Sequence, residues 1–278
     1  MKYTSLFLIL IFVIPSTMSA GPWTRKAGTG FLQLGFSTIP YKKVYNDQST
    51  KELVNGTVSN SVVQLFGDVG ITDELAVTAA MPVVFISAKD LQGAGPSSPS
   101  NSGIGDINLA LRYGFYNQNG WAITGTSLFG LPTGDDANVD GLLTGDGEFN
   151  VALGFAIGRS LYPAPAFASA ELSYDIRSKN FSNDILYNIE VGYGLMEQRL
   201  YVILQMSGRK STSSKATVIT PASRFGLNTQ NQEFNAIIPK LFYHAGGGWG
   251  VSVSLATATH GRNVAGGFVF AAGVSHEF

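Results

Sequence analysis

Three histidines, His244, His260 and His276, are the first residues to weigh for catalysis. A hydrolase needs a histidine base beside a serine, with a third polar group to orient it. His276 follows Ser275, but adjacent residues of a strand point to opposite faces. His244 falls near a tight glycine turn. His260, beside Thr259 and Arg262, is the one candidate base, and a histidine at such a rim is ordinarily solvated. We therefore expect no enzyme, and a lipid hydrolase is the least favoured alternative. Cysteine is absent, which removes thiol nucleophiles, disulfides, cysteine-bearing metal sites and an acceptor for a lipid anchor.

A second candidate is acidic. Asp136, Asn138 and Asp140, followed by Gly141, repeat the alternate oxygens and mid-loop glycine of a calcium loop. The closing carboxylate is displaced by one, to Glu148, since Gly147 stands where it is expected. Calcium is the sharper reading; a solvated acidic loop bridging lipopolysaccharide cations is the plainer one. No other metal and no cofactor is implied.

A third set of charges takes its meaning from the elements that carry it. Period-two alternation recurs along nearly the whole chain, the mark of strands with two unlike faces. From Asp106 to Tyr116 one face reads Ile107, Leu109, Leu111, Tyr113, Phe115, and the other Asp106, Asn108, Ala110, Arg112, Gly114. From Phe167 to Arg177, Ala168, Ala170, Leu172, Tyr174 and Ile176 oppose Ser169, Glu171, Ser173, Asp175 and Arg177. An apolar outer row beside a small or polar inner row inverts a soluble barrel and fits lipid outside and water inside. Charged residues are only 13% of the chain, about half the share of a soluble domain, which disfavours a secreted β-sandwich.

About twelve strands are expected, in an all-β antiparallel transmembrane barrel. Tight connections fall near Thr72–Glu74, Asn117–Gly120, Tyr162–Pro165, Glu197–Arg199 and Gly246–Gly248, and these we assign to the periplasm. Longer ones, Asn46–Asn60, Lys89–Ser102, Gly134–Glu148 and Ser211–Asn231, with shorter ones near Asn180 and Gly261, should face outward. Aromatics beside the tight turns, Tyr113, Phe115, Trp121, Tyr193, Tyr201, Tyr243 and Trp249, suit a membrane interface. The final strand ends on Phe278, which resembles the terminal signal read by the barrel-assembly machinery.

In that register Asp68, Asp106, Glu171, Asp175 and Glu190 face the lumen with Arg112, Arg177, Arg209 and Lys240. The signs are mixed, whereas an ion-selective pore shows rings of one sign. The charges either pack the lumen as a salt-bridged network or line a polar path. Pro82 and Pro239 interrupt apolar strands and each removes a ladder hydrogen bond; a bulge is the ordinary reading, a lateral gap for an apolar substrate the sharper one.

The first twenty residues carry Lys2, an apolar run from Leu6 to Ile14, Pro15 and small residues up to Ala20, the pattern of a secretory signal cleaved after Ala20. Residues 21–278 are then one barrel domain, and the bacterial outer membrane its expected place. Lys2 is the only charge lost, which leaves 17 basic against 19 acidic residues and nothing to attract nucleic acid.

Four segments resemble the family of outer-membrane proteins described as transporters of the meta-cleavage pathway of phenol degradation. They are Gly103-Ile104-Gly105-Asp106 running into Arg112-Tyr113, Leu131-Pro132-Thr133-Gly134-Asp135, Thr144-Gly145-Asp146-Gly147-Glu148-Phe149-Asn150-Val151, and Gly158-Arg159-Ser160. They run in order from Gly103 to Ser160. The resemblance implies a channel for small, uncharged or apolar, aromatic molecules. The alternative is a non-transporting surface barrel that binds a partner or lipopolysaccharide. Expected partners are outer-membrane lipid and lipopolysaccharide, the assembly machinery and a small-molecule substrate.

Overall fold

A computed structural model describes residues 21–89, 98–212, 225 and 230–278. The expected signal sequence, residues 1–20, and much of the loop from Ser211 to Asn231 lie outside the described residues. The chain forms strands β1 (Gly30–Tyr45), β2 (Lys51–Gly70), β3 (Leu75–Lys89), β4 (Ser100–Ile104), β5 (Ile107–Gln118), β6 (Trp121–Leu131) and β7 (Asn150–Ser160). These continue as β8 (Ala166–Arg177), β9 (Asp184–Leu195), β10 (Leu200–Ser211), β11 (Glu233–Gly246), β12 (Trp249–Arg262), β13 (Val264–Ala265) and β14 (Phe268–Glu277). Every pairing is antiparallel, and β1 pairs with both β2 and β14, so the sheet closes on itself. β4 with β5, and β13 with β14, are each one interrupted stave, which makes a barrel of twelve.

Closure is what a strand in lipid requires, because an open edge would leave backbone N–H and C=O groups without partners. The faces separate as the alternation demands. Phe115, Phe155 and Leu172 in the outward rows are at least 60% exposed. The inward rows bury Asp68, Arg112, Thr124, Asp175, Asn188 and Gln205 instead.

The tight connections are short turns, as expected, and both ends of the barrel chain, Gly30 and Glu277, lie at that same end. Two expectations need correction. Asn46–Asn60 is not a long loop: the turn spans residues 46–50, and β2 runs on for 20 residues. Its first part looks like loop because it projects past the lipid, where alternation carries no apolar signature. Tyr201 does not face the membrane; it stacks at an edge angle on His244 and contacts Phe167 from within.

The prolines do different things. At Pro82 the β3 ladder shifts by one residue between Val83↔Ile104 and Ala80↔Asn108, with Gly105 and Asp106 forming the bulge. The Gly105 N–H donates to the Pro82 carbonyl at 2.9 Å, so the wall is bridged there. Pro239 pairs with Leu204 in an unbroken β10 ladder; on its other side Ile238 and Pro239 drop out of the ladder with β12, which resumes in the same register at Lys240↔Ser254. Phe155 lies at the middle of β7, facing lipid. Phe155→Arg should destabilise the barrel by about 2–4 kcal/mol, measured by denaturant unfolding in lipid vesicles.

Candidate functional site: the barrel lumen

Three of the family-like segments meet at one carboxylate. Asp106 Oδ1 accepts the Gly134 N–H at 3.0 Å and Oδ2 accepts the Asp146 N–H at 2.9 Å. Thr144 Oγ1 donates to the Ile104 carbonyl and accepts from the Asp135 N–H, while Thr133 Oγ1 donates to the Gly105 carbonyl. The bulge at Gly105–Asp106 therefore frees a carboxylate to hold residues 133–146 inside the long-loop mouth of the barrel. Asp106 faces the lumen but is occupied by backbone donors.

This inward loop carries Leu142 into an apolar cluster with Tyr41, Val44, Val54, Val58, Val84, Ile86, Ala88 and Phe225. Tyr41 secures it by donating to the Phe225 carbonyl at 2.8 Å. The mouth is thus filled by apolar side chains.

Below it, Arg177 gathers carboxylates from three directions. Its guanidinium reaches Asp146 at 2.8 Å, Glu148 at 2.5 Å and Asp184 at 3.4 Å, and lies 4.4 Å from the Phe181 ring centroid. Asp175 and Asp184 stand directly opposite across β8 and β9. Arg209 lies between them, 3.8 and 3.4 Å away. Two carboxylates so placed repel unless a cation separates them. Burial raises the carboxyl pKa of Asp146 and Glu148 above the ordinary range, against the pull of Arg177.

The proposed calcium ligands do not gather. Glu148 turns inward onto Arg177. Asp136 pairs with Lys179 at 3.0 Å, and Asn138 accepts the Asp140 N–H. Among the described residues no three His, Asp or Glu side chains converge as a metal site. The displaced closing carboxylate has an ion-pair partner 29 residues along the chain, and local spacing could not reveal it.

At the short-turn end, residues 21–25 enter the lumen, while residues 26–29 lie exposed at its rim. Arg112 donates to the carbonyls of Gly21 and Trp23, and Thr124 donates to the carbonyl of Pro22. Arg112 also pairs with Asp68 at 3.2 Å, and Asp68 accepts from Arg25 at 2.9 Å. Pro22 is fully buried, and Trp23 meets Phe167 edge-on. Gly158 faces this segment, and a Cβ there would run into Pro22 and Trp23. The segment has no periodicity, so no pattern in the sequence announced it. Its Pro22-Trp23 pair is the signal the sequence carries.

Among the described residues, two cavities open onto the lumen. One, of about 310 Å³, is lined by Asp106, Arg112, Glu171, Asp175, Arg177 and Arg209 among others. The other, of about 330 Å³, is lined by Asp68, Glu190 and Lys240, the last two 3.0 Å apart. All nine charged residues read as lumen-facing thus line one cavity or the other. Arg112 faces the first and Asp68 the second, so their ion pair stands on the partition.

A closed twelve-stave barrel with a lipid-facing apolar wall, polar interior and inward-folded ends is a bacterial outer-membrane β-barrel. Residues 43–273 match the family model described as "Putative MetA-pathway of phenol degradation", and the chain belongs to that family. Among solved structures it is similar to an outer membrane channel from Pseudomonas putida F1, with TM-score 0.70 and 13% identity over 96% of this chain and 100% of that one. The translocator domain of the autotransporter NalP from Neisseria meningitidis matches with TM-score 0.54 and 9% identity over 91% and 90% of the two chains. The NanC porin matches with TM-score 0.53 and 10% identity over 88% and 98%. No curated protein matches.

Arg177→Met would leave Glu148 and Asp146 without their main counter-charge, which should cost about 3–5 kcal/mol near neutral pH. Carboxyls held above their ordinary pKa favour the fold when protonated, and that contribution is lost as pH rises through the raised value. The variant's deficit should therefore shrink on acidification, as read by thermal unfolding in detergent across a pH series.

Proposed function

We propose that the barrel is an outer-membrane route for small, uncharged or apolar molecules, aromatic ones among them. The observation that carries this reading is the apolar cluster around Leu142 and Phe225 in the long-loop mouth, where an ion channel would present charge. Family membership supports the same substrate class. The lumen charges supply a polar path whose signs are paired off, as Arg112 with Asp68 and Lys240 with Glu190, so a permeating ion meets no ring of one sign.

In this reading the segment from Gly21 to Thr29 closes the periplasmic mouth. Cleavage after Ala20 would leave Gly21 as the new amino terminus inside the lumen, and Phe278 would direct assembly. An occupied lumen also suits the alternative of a surface barrel that transports nothing, and two measurements separate them. The mature protein should pass little current in a planar bilayer. A variant lacking residues 21–27, and Gly158→Val, which dislodges the segment by volume, should open in stable steps and speed liposome swelling in small neutral solutes. Calorimetry should find small neutral aromatic compounds bound by the refolded wild type and at least tenfold weaker in Leu142→Asp. A silent truncated barrel and absent aromatic binding would together leave the non-transporting role.

If substrate leaves sideways, the interruption between β4 and β5 opposite Pro82 is the place, since the ladder there rests on the Gly105 bridge; Pro239 sits in a wall that keeps its register. Pro82→Val should then slow cellular uptake of an aromatic compound, and undiminished uptake would return the exit to the periplasmic mouth.

A further inference from the structure

The outer wall formed by β1–β4 changes character in steps along the barrel axis, and the strand register fixes the steps. Phe36, Val63, Val83 and Ile104 form one outward row across the four strands. Two residues further up, Ser61, Phe85 and Ser102 continue the row beside Thr38, which is buried, and the next row reads Pro40, Ser59, Ser87 and Ser100. Above these stand Lys42 on β1 and Lys89, which pairs with Thr57; both lysines are exposed. Five serines and Phe85 line a shallow recess of about 470 Å³ on this face.

Depth gives the pattern its meaning. Phe85 is the eleventh residue of β3 from the periplasmic end, and a tilted strand crosses the hydrocarbon in about 9–11 residues. The hydroxyl rows therefore sit at the outer edge of the bilayer. The eleventh residue of β8, Ile176, is still apolar and 49% exposed. The eleventh residues of β10 and β12, Lys210 and Thr259, are polar and exposed, so the belt is mixed at this height; the β1–β4 wall is set apart by hydroxyls that stand side by side on adjacent strands.

We propose that this wall docks the lipid A moiety of lipopolysaccharide: acyl chains against Phe36, Val63, Val83 and Ile104, the disaccharide against the serine rows, and its anionic groups beside Lys42 and Lys89. Charge complementarity favours an anionic lipid, since neither lysine has an ion-pair partner among the described residues and these rows carry no carboxylate. Two rows of hydroxyls, spaced about 6–7 Å along the strand, suit the thickness of a sugar layer. The compact headgroup of a glycerophospholipid offers nothing to fill that depth. The inference is independent of transport, because it concerns the outside of the wall.

The test uses the full mature protein refolded in neutral detergent, with hexa-acylated bisphosphorylated lipid A as the probe. Dephosphorylated lipid A and phosphatidylglycerol serve as comparators, and native mass spectrometry counts retained lipid. Wild type should retain lipid A at least tenfold more strongly than either comparator. Lys42→Glu with Lys89→Glu should lose at least tenfold in retention while remaining heat-modifiable on gels. Lys42→Gln with Lys89→Gln provides the same reading should the charge reversal impair folding. Ser61→Leu with Ser87→Leu should erase the preference for lipid A over phosphatidylglycerol. Equal retention by wild type and the lysine variants would overturn the proposal, and so would phosphatidylglycerol held as strongly as lipid A.

Discussion

The structure depends on a single constraint: in hydrocarbon, no backbone polar group can be left without a partner. β1 meets it by pairing with β2 on one side and β14 on the other, so the first and last staves remove each other's edges. Once the sheet is closed, alternation does the rest. Every second side chain goes to lipid and every other to a lumen too narrow to hold free charge at low cost. The interior charges must then be neutralised locally, which is why the inward face is a set of ion pairs and backbone bonds.

Those neutralising contacts shape the two ends. Asp106 is freed from the ladder by a bulge and spent on the N–H groups of Gly134 and Asp146, which fold a loop inward. Asp146 and Glu148 then reach Arg177 on β8. At the other end Arg112 is held by Asp68 and uses its remaining donors on the carbonyls of Gly21 and Trp23. Each mouth is thus occupied by chain that an internal charge holds in place, while the apolar character needed to meet a lipophilic solute is concentrated around Leu142 and Phe225.

The strands were legible in the sequence because lipid and lumen impose opposite chemistries at every second residue. Ile107 to Phe115 and Ala168 to Ile176 separate without ambiguity, and that register alone brought nine charged residues to the cavities. Legibility failed where one of those solvents was missing. Lys51 to Asn55 projects beyond the lipid, so the start of β2 reads as loop. Residues 21–25 are inside but not in the sheet, and a segment held by carbonyl contacts leaves no side-chain pattern. The acidic loop misled for a related reason: a calcium motif is local, whereas Glu148 is claimed by Arg177 from a different strand.

Arg25 gives the inserted segment a second consequence. Its guanidinium reaches Asp68 on β2 and Glu277 on β14, the two staves that flank β1. The segment therefore stitches across the seam where the chain's beginning and end are joined, from the inside. Drawing it out would empty the mouth and also unfasten that seam, so this barrel couples its opening to its hoop strength: the state that admits most is also the state least firmly closed upon itself.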